Sequence, residues 1–108
     1  MTHELPPSLK SYIDAVNRHD VDAMLLAFSK TATVKDEGKS YTGHADIRTW
    51  KEETTRKYRV TVEVSDVART GDTFKIAMLV TGNFPGSPAT LHYVFTLDGD
   101  LIVRLEVS

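Results

Sequence analysis

At 108 residues, with a formal charge of −2 and 41% hydrophobic and 26% charged residues, the chain reads as one domain spanning 1–108. That charge balance excludes a phosphate-binding surface, so no nucleic-acid partner is expected, and no apolar run approaches the ~20 residues of a membrane span. Without cysteine there is no disulfide framework, thiolate metal site or cysteine nucleophile, which fits the cytoplasm.

Residues Met1 to Pro7 lack a basic segment followed by an apolar one, so no signal peptide is expected. Pro6 and Pro7 suit the first turn of a helix, where a missing N–H costs nothing. Leu9, Tyr12, Ile13 and Val16 then fall at i, i+3, i+4 and i+7, which predicts a helix to about Arg18. Asn17-Arg18-His19-Asp20 breaks the pattern, and Asp20 is a good N-cap for a second helix whose stripe is Val21, Met24, Leu25 and Phe28. Ala32 to Gly43 reads as a short strand, an acidic turn ending in Gly38, a second short strand, and a glycine that starts a third helix. That helix is expected from about His44 to Arg56, with Asp46 in its first turn and Ile47 and Trp50 inward. Arg56-Lys57-Tyr58-Arg59 is the nearest approach to a basic cluster, and Glu52 and Glu53 pair with it at i,i+4, as on a solvated helix end.

From Tyr58 the period changes to two. Tyr58, Val60, Val62 and Val64 alternate with polar residues, as do Phe74, Ile76, Met78 and Val80 in the next strand. Asn83 to Pro88 is a loop. Leu91, Tyr93, Phe95 and Leu97 mark a third long strand, and Leu101, Val103, Leu105 and Val107 a fourth. Helices first and long strands after, joined by short turns, predict an α+β fold with the helices on one face of an antiparallel sheet. The expected inward set includes Val16, Phe28, Trp50, Val62, Met78, Phe95 and Leu105. The other sheet face carries Leu79, Val94 and Ile102, with no helix left to cover them. A homodimer through that face is the economical expectation.

The run from Tyr12 to Ala23, continuing into Ala32-Thr33-Val34-Lys35-Asp36, resembles the N-terminal half of the ketosteroid isomerases. With Tyr41 to Trp50 and Phe95 to Ile102, the chain is similar to SnoaL-like members of the nuclear transport factor 2 superfamily over nearly its whole length. The resemblance implies a cone-shaped roll of three N-terminal helices against a curved, mostly antiparallel sheet, with a pocket between them. It also implies that Tyr12 stands where the isomerases have an oxyanion-donating tyrosine, and Asp36 where they have a proton-shuttling aspartate. Their third position, a protonated aspartic acid, falls at Tyr93 here, a departure from the isomerase pattern.

Such a set could abstract a proton next to a carbonyl. A carboxylate needs desolvation to act as a base near neutral pH, and phenol O–H groups stabilise the enolate oxygen as its charge develops. The expected catalytic residues are Asp36, Tyr12 and Tyr93; Trp50, Tyr58, Val62, Met78, Phe84, Phe95 and Leu105 are expected to line the pocket. The implied partner is a small apolar or carbonyl-containing molecule, with no cofactor. Each residue also has a plainer reading. Asp36 before Glu37-Gly38 is ordinary turn chemistry, and Tyr12 on an apolar stripe is an ordinary core tyrosine. His3, His19, His44 and His92 show no ligand spacing, so no metal site is expected. Arg104 and Glu106 fall on the outer face, where cross-strand pairing explains them. A non-catalytic module binding a small ligand or a partner protein is the competing expectation.

Overall fold

The computed structural model describes residues 5–108; residues 1–4, with His3 and most of the stretch read for a signal peptide, lie outside it. Three helices, α1 (Pro7–Asn17), α2 (Val21–Leu26) and α3 (Gly43–Tyr58), pack on a six-stranded sheet. Its strands are β1 (Phe28–Asp36), β2 (Lys39–Thr42), β3 (Thr61–Thr70), β4 (Thr73–Thr81), β5 (Ala89–Asp98) and β6 (Leu101–Val107), in the order β2-β1-β6-β5-β4-β3. Only β1 and β6 run parallel; the other four pairings are antiparallel.

The local chemistry accounts for these elements. Pro7 opens α1, which buries Leu9, Tyr12, Ala15 and Val16 on one stripe. Asp20 caps α2 by accepting from the Ala23 N–H at 3.1 Å. The β1–β2 hairpin turns on two residues, Glu37 and Gly38, at φ 52° and 76°, the geometry of a type I′ turn. Asn17, just past the α1 stripe, accepts from the Val62 N–H at 2.7 Å and donates to the Val62 carbonyl at 3.1 Å. The Val60 carbonyl accepts from Nε2 of His19 at 2.8 Å. The polar break between α1 and α2 thus pins the edge strand β3 to the helices. Among the described residues no helix is long and apolar enough to cross a membrane.

Several sequence expectations change. Phe28 belongs to β1 rather than to α2, which stops after six residues. Tyr58 ends α3 rather than starting β3; Arg59, at φ 46°, turns the chain in the left-handed region, and β3 begins at Thr61. Two bulges alter the facing of the strands. In β3 the register slips between Val64 and Asp66, so Val67 joins Val62 and Val64 on the helix side. In β6, Leu97 pairs with Ile102 and Thr96 with Arg104, which leaves Val103 as the extra residue. Ile102 therefore points inward and is fully buried, its N–H bonded to the Ala27 carbonyl at 2.8 Å. It cannot belong to the outer face on which a dimer was expected. That face carries Leu79, 38% exposed, and the half-buried Val94, beside an Arg104–Glu106 pair at 2.6 Å. The apolar patch is smaller than the sequence suggests.

Candidate functional site

Between the inner sheet face and α3 lies a cavity of about 490 Å³, within the ordinary range for small-ligand sites. Its wall combines Trp50, Lys51, Thr54 and Tyr58 from α3 with Asp36 and Glu37 from the first hairpin. Val60, Val80, Ala89, Leu91, Tyr93 and Val107 come from the sheet side, and Phe84 and Pro85 from the β4–β5 loop. The α3 residues follow directly from helical spacing, since positions 47, 50, 51, 54 and 58 share one face. The loop is held close by Gly82. A Cβ there would lie 2.7 Å from the Tyr58 carbonyl oxygen and 2.8 Å from Cγ1 of Val60, so only glycine lets β4 pass the end of α3. The Asn83 N–H donates to that same carbonyl at 2.7 Å, and Phe84 meets Tyr58 edge-on with ring centroids 6.2 Å apart.

The Asp36 side chain does not close its turn. The left-handed Glu37-Gly38 pair makes the turn from the backbone, and the carboxylate turns instead towards α3. Its Oδ2 accepts from Nε1 of Trp50 at 3.0 Å. Trp50 is itself fixed by stacking on Tyr41, centroids 5.9 Å apart and planes 27° apart. A half-buried carboxylate is therefore aimed by a buried indole, with no bond to Oδ1 among the described residues.

The other expected site residues separate into two layers. Tyr93 lines the cavity. Burial raises its phenol above the usual tyrosine range, with smaller contributions from Tyr12 and Asp36. Tyr12 does not line the cavity. It sits one layer deeper, 2% exposed, edge-on against Phe28 at 5.4 Å and Phe95 at 5.8 Å. Its phenol is also raised, by burial first and then by the Asp36 charge. Trp50, Tyr58 and Phe84 lie in the wall, whereas Met78, Phe95 and Leu105, at most 1% exposed, are core beneath it. Val62 packs against that core rather than in the wall, because Asn17 holds its backbone at the α1 end of β3.

Lys51 is the buried charged member of the site, and sequence reasoning missed it. It lines the cavity yet is only 8% exposed. Its Nζ lies 4.4 Å from the Trp50 ring centroid and 5.2 Å from that of Tyr12. Among the described residues no carboxylate oxygen comes within 4.0 Å of it. Burial pushes the ammonium down to about 8, and the Asp36 charge opposes that shift. The signal was present in the sequence: Lys51 falls at i+4 from Ile47, on the buried stripe of α3. His19 and His44 are used structurally. Nε2 of His44 donates to the Phe28 carbonyl at 2.9 Å, and no group of metal ligands forms among the described residues.

Comparison with known proteins supplies the family. Residues 9–105 match the model of the SnoaL-like domain. A candidate polyketide cyclase from Sinorhizobium meliloti is 35% identical, with a TM-score of 0.92 over 96% of this chain and 95% of its own. The epoxide hydrolase/cyclase-like enzyme SalBIII, of pyran ring formation in the polyether salinomycin, is 25% identical, with a TM-score of 0.81 over 93% and 85%. A protein of ketosteroid isomerase-like fold from Catenulispora acidiphila shares that fold at 21% identity, with a TM-score of 0.84 over 97% and 86%. No curated protein matches. The chain belongs to the SnoaL-like domain family.

Proposed function

We propose that the chain is a cofactor-independent enzyme that moves a proton next to the carbonyl of a small, largely apolar molecule, with Asp36 as the base. The observation that carries this reading is the shared cavity. A carboxylate, a phenol and a buried ammonium meet in one apolar wall, and the carboxylate is held by an indole N–H.

The geometry supports a role for each residue. The Trp50 N–H fixes Oδ2, which leaves Oδ1 to meet a C–H bond beside the ligand carbonyl. As the proton leaves, negative charge grows on the carbonyl oxygen. The Tyr93 phenol is the cavity-wall donor for it, in place of the deeper Tyr12. Tyr12 backs the same region through its ring, edge-on against Phe95, and its phenol is within electrostatic reach of Tyr93. Phe84, Leu91 and Val80 give the ligand an apolar bed, and the low dielectric strengthens each charge interaction.

Proton exchange tests this without knowledge of the natural substrate. Cyclic ketones and β-dicarbonyl compounds are incubated with the protein in D₂O, and loss of the proton beside the carbonyl is followed by NMR. Trp50, the single tryptophan, reports cavity occupancy by fluorescence. Accelerated exchange is expected for part of the panel. It should fall on the order of 10²–10⁴-fold in Asp36→Asn with ligand quenching retained. Exchange as fast in Asp36→Asn as in the unsubstituted protein would sink the reading and leave a binding module.

A further inference from the structure

The seven lysines of the chain fall into two groups. Lys10, Lys30, Lys35, Lys39, Lys57 and Lys75 are exposed, as lysines ordinarily are, while Lys51 is buried in the wall of the cavity. Its near neighbour Arg48, less than one turn back on α3, pairs with Asp22 at 2.7 Å and lies 3.9 Å from Glu52. Lys51 has no such partner among the described residues, and two aromatic rings flank its ammonium. For packing alone this is a poor choice. A methionine would fill the same volume without removing a charge from water. An anchor for an acidic ligand is disfavoured as well, because Asp36 and Glu37 line the same cavity and would repel one.

We propose that Nζ of Lys51 is a nucleophile that condenses with the carbonyl carbon of an aldehyde or ketone seated in the cavity, forming a protonated imine. This rests on the reading of the cavity as a site for carbonyl compounds and adds covalent activation to it. The balance is simple. The neutral amine adds its lone pair to the carbonyl carbon to give a carbinolamine. The former carbonyl oxygen takes up two protons and leaves as water as the nitrogen lone pair forms the C=N bond. Overall, an ammonium and a carbonyl become an iminium and one water, with no change in charge and no oxidant or reductant. The iminium then draws electrons from the neighbouring C–H bond, and Asp36 accepts that proton to leave a neutral enamine. Reprotonation and hydrolysis restore the lysine.

The environment suits the step. Burial weakens the hold of Lys51 on its proton, so roughly a tenth of the side chain is the free amine at neutral pH. The Asp36 carboxylate and Tyr93 phenol share the cavity as proton carriers. The surface lysines, hydrated and with no cavity to hold a carbonyl compound beside them, react more slowly.

Reductive trapping decides the matter. The protein is treated with benzaldehyde and cyanoborohydride at pH 7 and mapped by peptide mass spectrometry. Lys51 is expected to carry most of the benzyl label, ahead of the six exposed lysines. Labelling at Lys51 should rise as pH approaches 8 and be blocked by a ketone that exchanges in D₂O. Lys51→Arg keeps the cation between the two rings but cannot form an imine, so it should lose the label and the exchange together. Far-ultraviolet circular dichroism checks that this variant folds. Label spread over the exposed lysines with Lys51 spared would overturn the proposal, as would exchange at the unsubstituted rate in a folded Lys51→Arg. That last result would leave Asp36 as base intact. Label on Lys51 without any exchange would uphold the imine and remove the Asp36 reading instead.

Discussion

The inner face of the sheet has two regions written in one alternation and filled in opposite ways. Under α1, the side chains of Met78, Phe95, Ile102 and Leu105 are at most 1% exposed and interlock with Tyr12 and Phe28. Beyond α1, the same strands present Leu91, Tyr93 and Val107, all partly exposed, to the space beside α3. Nothing in the strands distinguishes the two; the helices do. α1 covers the first region, and α3 ends at Tyr58 beside the second, where Gly82 lets the end of β4 and its loop come close to the helix terminus alone. A binding space arises where a regular apolar pattern runs past the elements that could fill it.

Truncation separates the two regions. Phe95→Ala should cost about 3–5 kcal/mol, because its neighbours cannot close the void. Leu91→Ala, facing open space, should cost roughly 1 kcal/mol or less and mainly weaken ligand quenching of Trp50. Equal losses in urea titrations would erase the distinction.

The rim that keeps the second region open can be attacked directly. Gly82→Ala forces a methyl against the Tyr58 carbonyl and Val60, with an expected cost of about 1–3 kcal/mol. The loop that carries Phe84 should move with it. Chemical denaturation gives the first quantity, and ligand affinity the second. Unchanged stability and affinity would show that the close approach is not what holds the rim.

Titration sharpens the contrast by a smaller amount. Lys51 in the folded protein loses its proton near 8, below its ordinary 10.5. The unfolded chain therefore binds more protons between these values, and stability should rise with pH across that window. Tyr12 and Tyr93 have raised values, so their contribution is full below 10 and is lost above it. A net gain of roughly 1–2 kcal/mol from pH 8 to 10, then a decline, is expected. Lys51→Met should flatten the rise. A flat profile in the unsubstituted protein would place the ammonium in water rather than in the wall.

Much of the frame could be read directly from the residues. Alternation in β4 picked out Phe74, Ile76, Met78 and Val80, all of which are buried, and the stripe of α1 was equally direct. The failures have definite physical sources. Ile102 was assigned to the wrong face because a bulge adds one residue, which no period of two reveals. Tyr58 extended the β3 alternation only by coincidence of spacing, since the left-handed turn at Arg59 separates it from the strand. In the site, the resemblance to the isomerases pointed to Asp36 but not to its partner, because an indole fourteen positions away is a tertiary neighbour. The helical stripe placed Tyr12 inward without saying how deep. Lys51 was overlooked because lysine is ordinarily a surface residue, although its position on α3 already said otherwise.

Asn17 has one further consequence, for the solubility of the sheet. β3 is an edge strand, and a bare edge offers a row of N–H and C=O groups on which a second chain can grow as an added strand. The Asn17 amide occupies both groups of Val62, and His19 takes the carbonyl of Val60. Further along, the slip between Val64 and Asp66 throws the edge out of step with any straight neighbour. One side chain from a helix terminus thus imitates a missing strand for a single residue, enough to deny a foreign strand its first foothold at the edge where the chain leaves α3.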